Sequence, residues 1–583
     1  MRLSPRALQE GHPQPIWSPA RAILLVLALE AALVLVDLRL GPWTVVGFEE
    51  DRNARAALLV ACGHVDRLAE LRYRDFCGGC TAEALVGAPL LRLFGSEVQV
   101  WKLVPALFHL GTTAAGAALA ARAAGAAGAL AFGALMAGAP WAYRELALTG
   151  WGNHVESGAF TLGALALTLA ARRGGARGLA LGVAGGLLAG LGLSFCATAA
   201  WALPALAVAA GRRPAAGGEV VGPLRGPLRG PRLGLLLGLP LGLLPALWWY
   251  GPRPAAAAGE WARLGAVAPA DPAALLAWVG PDLLPGRLWP SGGSAYVILL
   301  LGLALIGVVQ GGRGARVAGA GLLSLGLAWA LRADLWADTP PLAGLDPFGW
   351  RYRAPAWPLL LWAAASLAGR RRAWLPIGAL AAFGLGWRVI AWSGGPAPGW
   401  GLPLGVPDGS PEPSVPEGDP PTRRARAMGR PQDRAAAAAF AEAHADPLPA
   451  CRALHLGELG RRAGLGLPAV ELGPLLADLG PADRLAVARG LAGGIAPGGA
   501  PPDPARAAAA APLAEALPGL RPALDLRTPG SCAARLRAWL DAESDGGARF
   551  PAGGSAPPCD DPAALGRLAA DTLGCGPRAA AAL

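Results

Sequence analysis

Apolar runs recur from the N-terminus to Trp392, and the short links between them alternate in charge. This pattern limits the fold more than any other feature of the chain. Inside a bilayer each backbone N–H and C=O must be satisfied by the segment itself, so an apolar run of about 20 residues must be a helix. Eleven spans fit, at 21–40, 102–121, 125–142, 157–171, 178–192, 195–210, 233–250, 294–310, 316–331, 354–369 and 374–392. Only 16% of residues are charged, against about a quarter in a soluble domain. The expected fold class is therefore an all-α polytopic membrane protein of about 11 transmembrane helices. The first stretch, Ala22 to Val36, lacks a small-residue cleavage site after it and reads as a first span rather than a removed signal.

The links give the orientation. With the N-terminus in the cytoplasm, the inner links carry Arg122, then Arg172, Arg173 and Arg177. Arg212, Arg213, Arg225, Arg229 and Arg232 follow, then Arg313 and Arg316, and finally Arg370, Arg371 and Arg372. Glu219 is the exception in an otherwise acid-poor set. This is the positive-inside pattern. Fusing the pair between Gly178 and Ala210 would invert everything downstream and place "GRRRA" outside. The net charge of +11 is thus accounted for by orientation, and nucleic acid is excluded as a partner.

The outer segments are then a large first loop (41–101), a short second loop (143–156), two later loops (251–293 and 332–353) and the C-terminal part. Residues 1–393 read as a transmembrane domain and 394–424 as a Pro/Gly-rich linker. Residues 425–583 read as an extramembrane Ala-rich region, helical or partly disordered. That region holds Cys451, Cys532, Cys559 and Cys575, compatible with two disulfides in three pairings. "CGGC" (Cys77 to Cys80) has no second pair in its loop. It reads as a small structural disulfide or two thiols rather than a redox or zinc site.

Rare residue types fall on the outer side. All five tyrosines, the single Lys and both Asn lie on expected outer loops or outer helix ends. An interfacial aromatic belt accounts for Tyr on its own, but not for Asn53 and Asn153. Within the first loop, Glu49, Glu50 and Asp51 form an acidic cluster at the membrane surface. Carboxylates there serve as a general base or hold a divalent cation; a solvated first helical turn is the plainer reading. The second loop packs Glu145, Asn153, His154 and Glu156 into a short turn. These suit acid/base or metal chemistry, or simply cap the next helix. Glu30 and His109 lie within spans, where ionisable groups mark function or pair with a polar neighbour for packing. Arg72, Arg74, Lys102, Arg351 and Arg353 lie near the outer interface, where they suit phosphate or lipid headgroups.

Three stretches in this order resemble the GT-C superfamily of membrane glycosyltransferases, in particular the protein mannosyltransferase and aminoarabinose transferase group. "EEDRNARAALL" is similar to that family's acidic pair followed by Arg, with Glu49 and Glu50 on the acids and Arg52 on the Arg. "GAPLLRLFGSEVQVWKLVPALF" is similar to its run into the next helix, and "GWGNHVES" sits where its second outer loop carries a further acid. "WRYRAPAWPLLL" resembles its Arg-Tyr entry to a late helix, giving Arg351 and Tyr352. The first acid is Glu where Asp is usual, and Asn53 replaces a Tyr.

The resemblance covers about residues 20–395 and implies a membrane glycosyltransferase. A polyprenyl-phosphate sugar donor would give its sugar, with inversion, to a lipid, glycan or protein acceptor at the outer face of a bacterial inner membrane. Glu49, Glu50 and Asp51 are then the catalytic candidates. Asn153, His154 and Glu156 are candidates for acid/base work or for holding a divalent cation. Arg52, Lys102, Arg351, Tyr352 and Arg353 are candidates for the donor phosphate. The contrasting reading is a transporter or lipid-linked-sugar flippase using Glu30 and His109.

Overall fold

In a computed structural model the described residues are 17–40, 48–63, 78–152, 155–171, 175–211, 231–250, 269, 293–310, 312–331, 354–392, 451–452, 456, 460 and 479–495. They are helical, with no β-strand element among them. The chain divides into two compact units. The first comprises residues 1–45, 73–83 and 102–400; the second comprises 46–72, 84–101 and 401–583.

The first unit contains α1 (Pro19–Leu40), most of α4 (Val98–Ala137), α5 (Trp141–Ala147), α6 (Ser157–Ala170), α7 (Gly175–Phe195) and α8 (Ala202–Ala210). It continues with α9 (Pro231–Tyr250), α10 (Gly293–Gln310), α11 (Gly312–Leu331), α12 (Ala356–Ala365) and α13 (Trp374–Trp392). Among the described residues four helical stretches are long and apolar enough to cross a membrane: Val98–Ala137, Ala176–Phe195, Gly314–Leu331 and Arg371–Ile390. Shorter apolar helices fall at Ser157–Ala170, Thr198–Ala210, Arg232–Trp248, Tyr296–Gln310 and Ala356–Ala365. Leu24, Leu244, Leu305, Leu323 and Leu375 all stand more than half exposed on these helices. Bare leucines on several helices are costly against water and cost nothing against acyl chains. The protein is an integral membrane protein.

Two local features shape the bundle. α4 runs 40 residues but breaks at Ala124 and Gly125, where Gly125 takes φ +65°, a conformation only glycine adopts without strain. The break turns one helix into two segments at the position where Arg122 marks a link. Next, α7 and α9 meet along glycines spaced by four. A Cβ on Gly186 or Gly190 would lie 2.4 or 2.2 Å from the carbonyl oxygens of Leu235 and Leu239. One on Gly238 or Gly242 would lie 2.0 or 2.2 Å from those of Val183 and Leu187. Small residues at this spacing let two membrane helices approach backbone to backbone, where dispersion and Cα–H contacts replace the missing hydrophobic drive. α7 and α8 are separate helices, joined through Cys196 in an extended conformation. The core of this unit is built from Phe132, Leu135, Met136, Trp201, Leu359 and Trp362, all at most 4% exposed.

The second unit contains α2 (Phe48–Ala61), the C-terminal part of α3 (Gly78–Phe94), the first turn of α4, and α14 (Pro481–Ile495). Ala54, Ala57, Leu58, Leu91, Val487 and Leu491 are buried in it. Cys62 forms a disulfide with Cys451, Cα to Cα 5.2 Å, across 389 residues of sequence. This corrects the expectation that Cys451 pairs within the C-terminal region: its partner follows α2. Arg92 Nη1 donates to Cys451 Sγ at 3.7 Å, and Arg452 pairs with Asp483 at 3.2 Å.

Candidate functional site

The acidic stretch of the first loop opens α2, so Glu50 occupies its first turn, where the helix dipole favours an anion. A solvated helix start would leave that side chain in water. Instead Glu50 is 0% exposed, and Asn53, one turn on, is 1% exposed. The plainer reading of Glu50 is thereby overturned. Glu49, Asp51 and Arg52 share the helix, and their side chains lie outside the described residues.

In the first unit, Glu156 is 2% exposed and precedes α6 without capping it. Its Oε1 accepts from the Trp151 backbone N–H at 3.2 Å, closing the second loop on itself. The loop is threaded against the start of α3: a Cβ on Gly79 would lie 1.6 Å from the Gly152 carbonyl oxygen. Gly152 itself takes φ +65°. This is what the glycines of "CGGC" and "GWGN" are for, and Cys80 is disulfide-bonded rather than a thiol. Lys102 is fully buried near the start of α4. Asn153, His154, Arg351, Tyr352 and Arg353 lie outside the described residues. Among the described residues no three His, Cys, Asp or Glu side chains converge as a metal site would.

The first unit also gathers a group of charges of which the sequence reading named only Glu30 and His109. These two pair with each other, His109 Nε2 to Glu30 Oε1 at 3.0 Å. Two turns along α1, Asp37 receives Arg388 of α13 in a two-pronged contact, Nε–Oδ1 3.1 Å and Nη2–Oδ2 2.5 Å. Trp392 Nε1 donates to Asp37 Oδ1 at 2.8 Å, and Arg388 Nη1 donates to the Ala137 carbonyl at 3.0 Å. Arg388 also stands 3.7 Å from Glu30, and Arg144 of α5 stands 3.7 Å from Asp37. All five of these ionisable groups are at most 4% exposed. Two carboxylates face two guanidiniums, so the group is neutral while His109 is neutral. Burial lowers the Arg144 guanidinium to about 10, opposed by the Asp37 carboxylate, and it remains charged at neutral pH.

Tyr143 and Tyr296, expected at the interface, are instead buried at 1% and 3% exposure. Tyr296 donates to the Gly138 carbonyl at 3.2 Å, and the Tyr143 ring lies 6.1 Å from that of His109. Burial, then Glu30 and Glu156, push the Tyr143 phenol above its ordinary range.

No family model and no curated protein sequence matches the chain. The structure is similar to a crystal structure of ArnT from Cupriavidus metallidurans in the apo state, at 15% identity and a TM-score of 0.41. The likeness covers 80% of this chain and 74% of that one, and at this level it says nothing of the reaction.

Proposed function

We propose that this protein is a membrane glycosyltransferase of the GT-C kind. It moves a sugar from a polyprenyl-phosphate donor to a lipid, glycan or protein acceptor at the outer face of a bacterial inner membrane. The burial of Glu50 carries the reading: a carboxylate is held out of water in the first turn of the helix that follows the first span. Its position is that of the acidic pair in the sequence resemblance. Glu50, with Glu49 and Asp51 beside it, takes the proton of the acceptor hydroxyl. The freed oxygen attacks the anomeric carbon, the bond from that carbon to the phosphate oxygen breaks with its electron pair, and polyprenyl phosphate leaves. Attack opposite the leaving group inverts the anomeric centre. Arg52, Lys102, Arg351, Tyr352 and Arg353 neutralise the donor phosphate. Asn153, His154 and Glu156 take part as acid/base groups or hold a divalent cation.

The test is transfer from a mixed polyprenyl-phosphate sugar pool in proteoliposomes, with Glu49→Gln and Glu50→Gln compared singly and together. Loss of a general base typically costs 10²–10⁴-fold, so the Glu50 variant should fall by about that factor while remaining folded. Undiminished transfer in the folded double variant removes the acidic pair from the mechanism.

The Glu30–His109 pair and its neighbours favour a second reading, in which a lipid-linked sugar is carried across the bilayer, since ionisable groups inside spans commonly line transport paths. Donor-independent flipping of a labelled lipid-linked sugar, abolished by Glu30→Gln, would establish transport instead.

A further inference from the structure

We propose that a groove between α10, the link that follows α12 and the start of α13 binds one anionic phospholipid. The groove encloses about 350 Å³, within the range of about 300–1,000 Å³ typical of small-molecule sites. Leu303 and Ile306 of α10, with Leu367, Ala373 and Pro376, make its apolar walls. Arg370, Arg371 and Arg372 line one end of it.

Three observations select the occupant. The guanidiniums are exposed, and among the described residues neither Arg371 nor Arg372 is in an ion pair with a carboxylate. Arg370 is held in place by donating to the Gln310 side chain at the end of α10. This leaves one hydrogen-bonded fork and two exposed cations at one spot, an arrangement that suits a phosphodiester. The second observation is the continuation of the walls. Leu305, Val309 and Leu375 are 66%, 68% and 82% exposed on the same two helices, which gives acyl chains an apolar path away from the headgroup. Thirdly, Trp374 sits at this end with Nε1 donating to the Ala368 carbonyl at 3.0 Å, the posture of an interfacial aromatic. A soluble anion would use the arginines and leave the walls empty; a neutral lipid would use the walls and leave the arginines. An anionic phospholipid uses both, as do basic pockets between membrane helices generally.

The proposal is independent of the transferase reading. Its test is native mass spectrometry of the full-length protein, with phosphatidylglycerol and phosphatidylcholine supplied in equal amounts. Wild type should retain a single phosphatidylglycerol at a concentration where phosphatidylcholine is washed off. Arg371→Gln with Arg372→Gln should reduce retention at least tenfold. Ile306→Trp, which fills the groove and keeps every charge, should do the same, with both variants checked for folding by gel filtration. Arg173→Gln with Arg177→Gln, on a different basic link, should retain the lipid as wild type does. Equal loss from both arginine pairs would reduce the effect to general surface charge and overturn the site. So would equal retention of the two lipids, undiminished retention in Ile306→Trp, full competition by chainless glycerophosphate, or preferential capture of polyprenyl phosphate.

Discussion

Replacing Arg388 by Met keeps an unbranched apolar stem and removes a guanidinium that reaches both carboxylates of α1. The substitution deletes two bonds to Asp37, at 3.1 and 2.5 Å, and one to the Ala137 carbonyl at 3.0 Å. It also changes the charge balance of the buried group from zero to one net negative. Breaking a buried pair from one side costs about 3–5 kcal/mol, because the abandoned charge stays buried. Here Asp37 keeps Trp392 at 2.8 Å and Arg144 at 3.7 Å, so about 3 kcal/mol is expected. Asp37→Leu should cost a similar amount, since Arg388 keeps Glu30 at 3.7 Å. The double variant leaves neither charge stranded and should be about 2 kcal/mol less damaging than the sum of the singles, within the range for contacting residues. The assay is a dodecyl sulfate titration in mixed micelles followed by far-ultraviolet circular dichroism. Additivity of the two substitutions to within about 0.5 kcal/mol would refute the pairing.

Two further pairs of substitutions probe the scaffold. Gly238→Ala places a Cβ 2.0 Å from the Val183 carbonyl oxygen and should destabilise the α7–α9 seam by about 1–3 kcal/mol in the same titration. Gly302→Ala, with nothing within 4 Å, should be neutral or stabilising, and equal losses at both sites would discount the seam. Cys62→Ser and Cys451→Ser should each cost about 2–4 kcal/mol and give the same mobility on a non-reducing gel, with the double variant no worse than either single.

The helices were legible because apolar length and basic links are local signals. The kink at Ala124 and Gly125 fell at the start of the third expected span, and the separation of α7 from α8 followed from charge alone. The glycine seam was written as repeats at Gly182, Gly186 and Gly190 and at Gly234, Gly238 and Gly242. In a chain with 84 glycines that spacing does not stand out. Glu30 and His109 were visible as intramembrane ionisable residues, but their meeting was not, since it depends on how α1 packs on α4. Arg388 carried the same signal, a lone charge within the last span, and Asp37 lies seven residues from Glu30 on one face of α1. The burial of Glu50 was illegible in principle: a first-turn acid has the same sequence whether it faces water or protein.

The bond between Cys62 and Cys451 has a consequence for topology and for the order of biogenesis. Two thiols can be oxidised to one disulfide only in a shared, oxidising compartment, so the bilayer crossings between them must be even in number. The ten expected spans that separate them meet that parity, whereas fusing the stretch from Gly178 to Ala210 into one crossing would break it. Cys62 emerges early and must wait for residue 451, after the last span has been threaded. The disulfide is therefore a closing stitch: it forms only when the crossings between its two ends are even in number, and a chain with one crossing missed would keep both thiols apart.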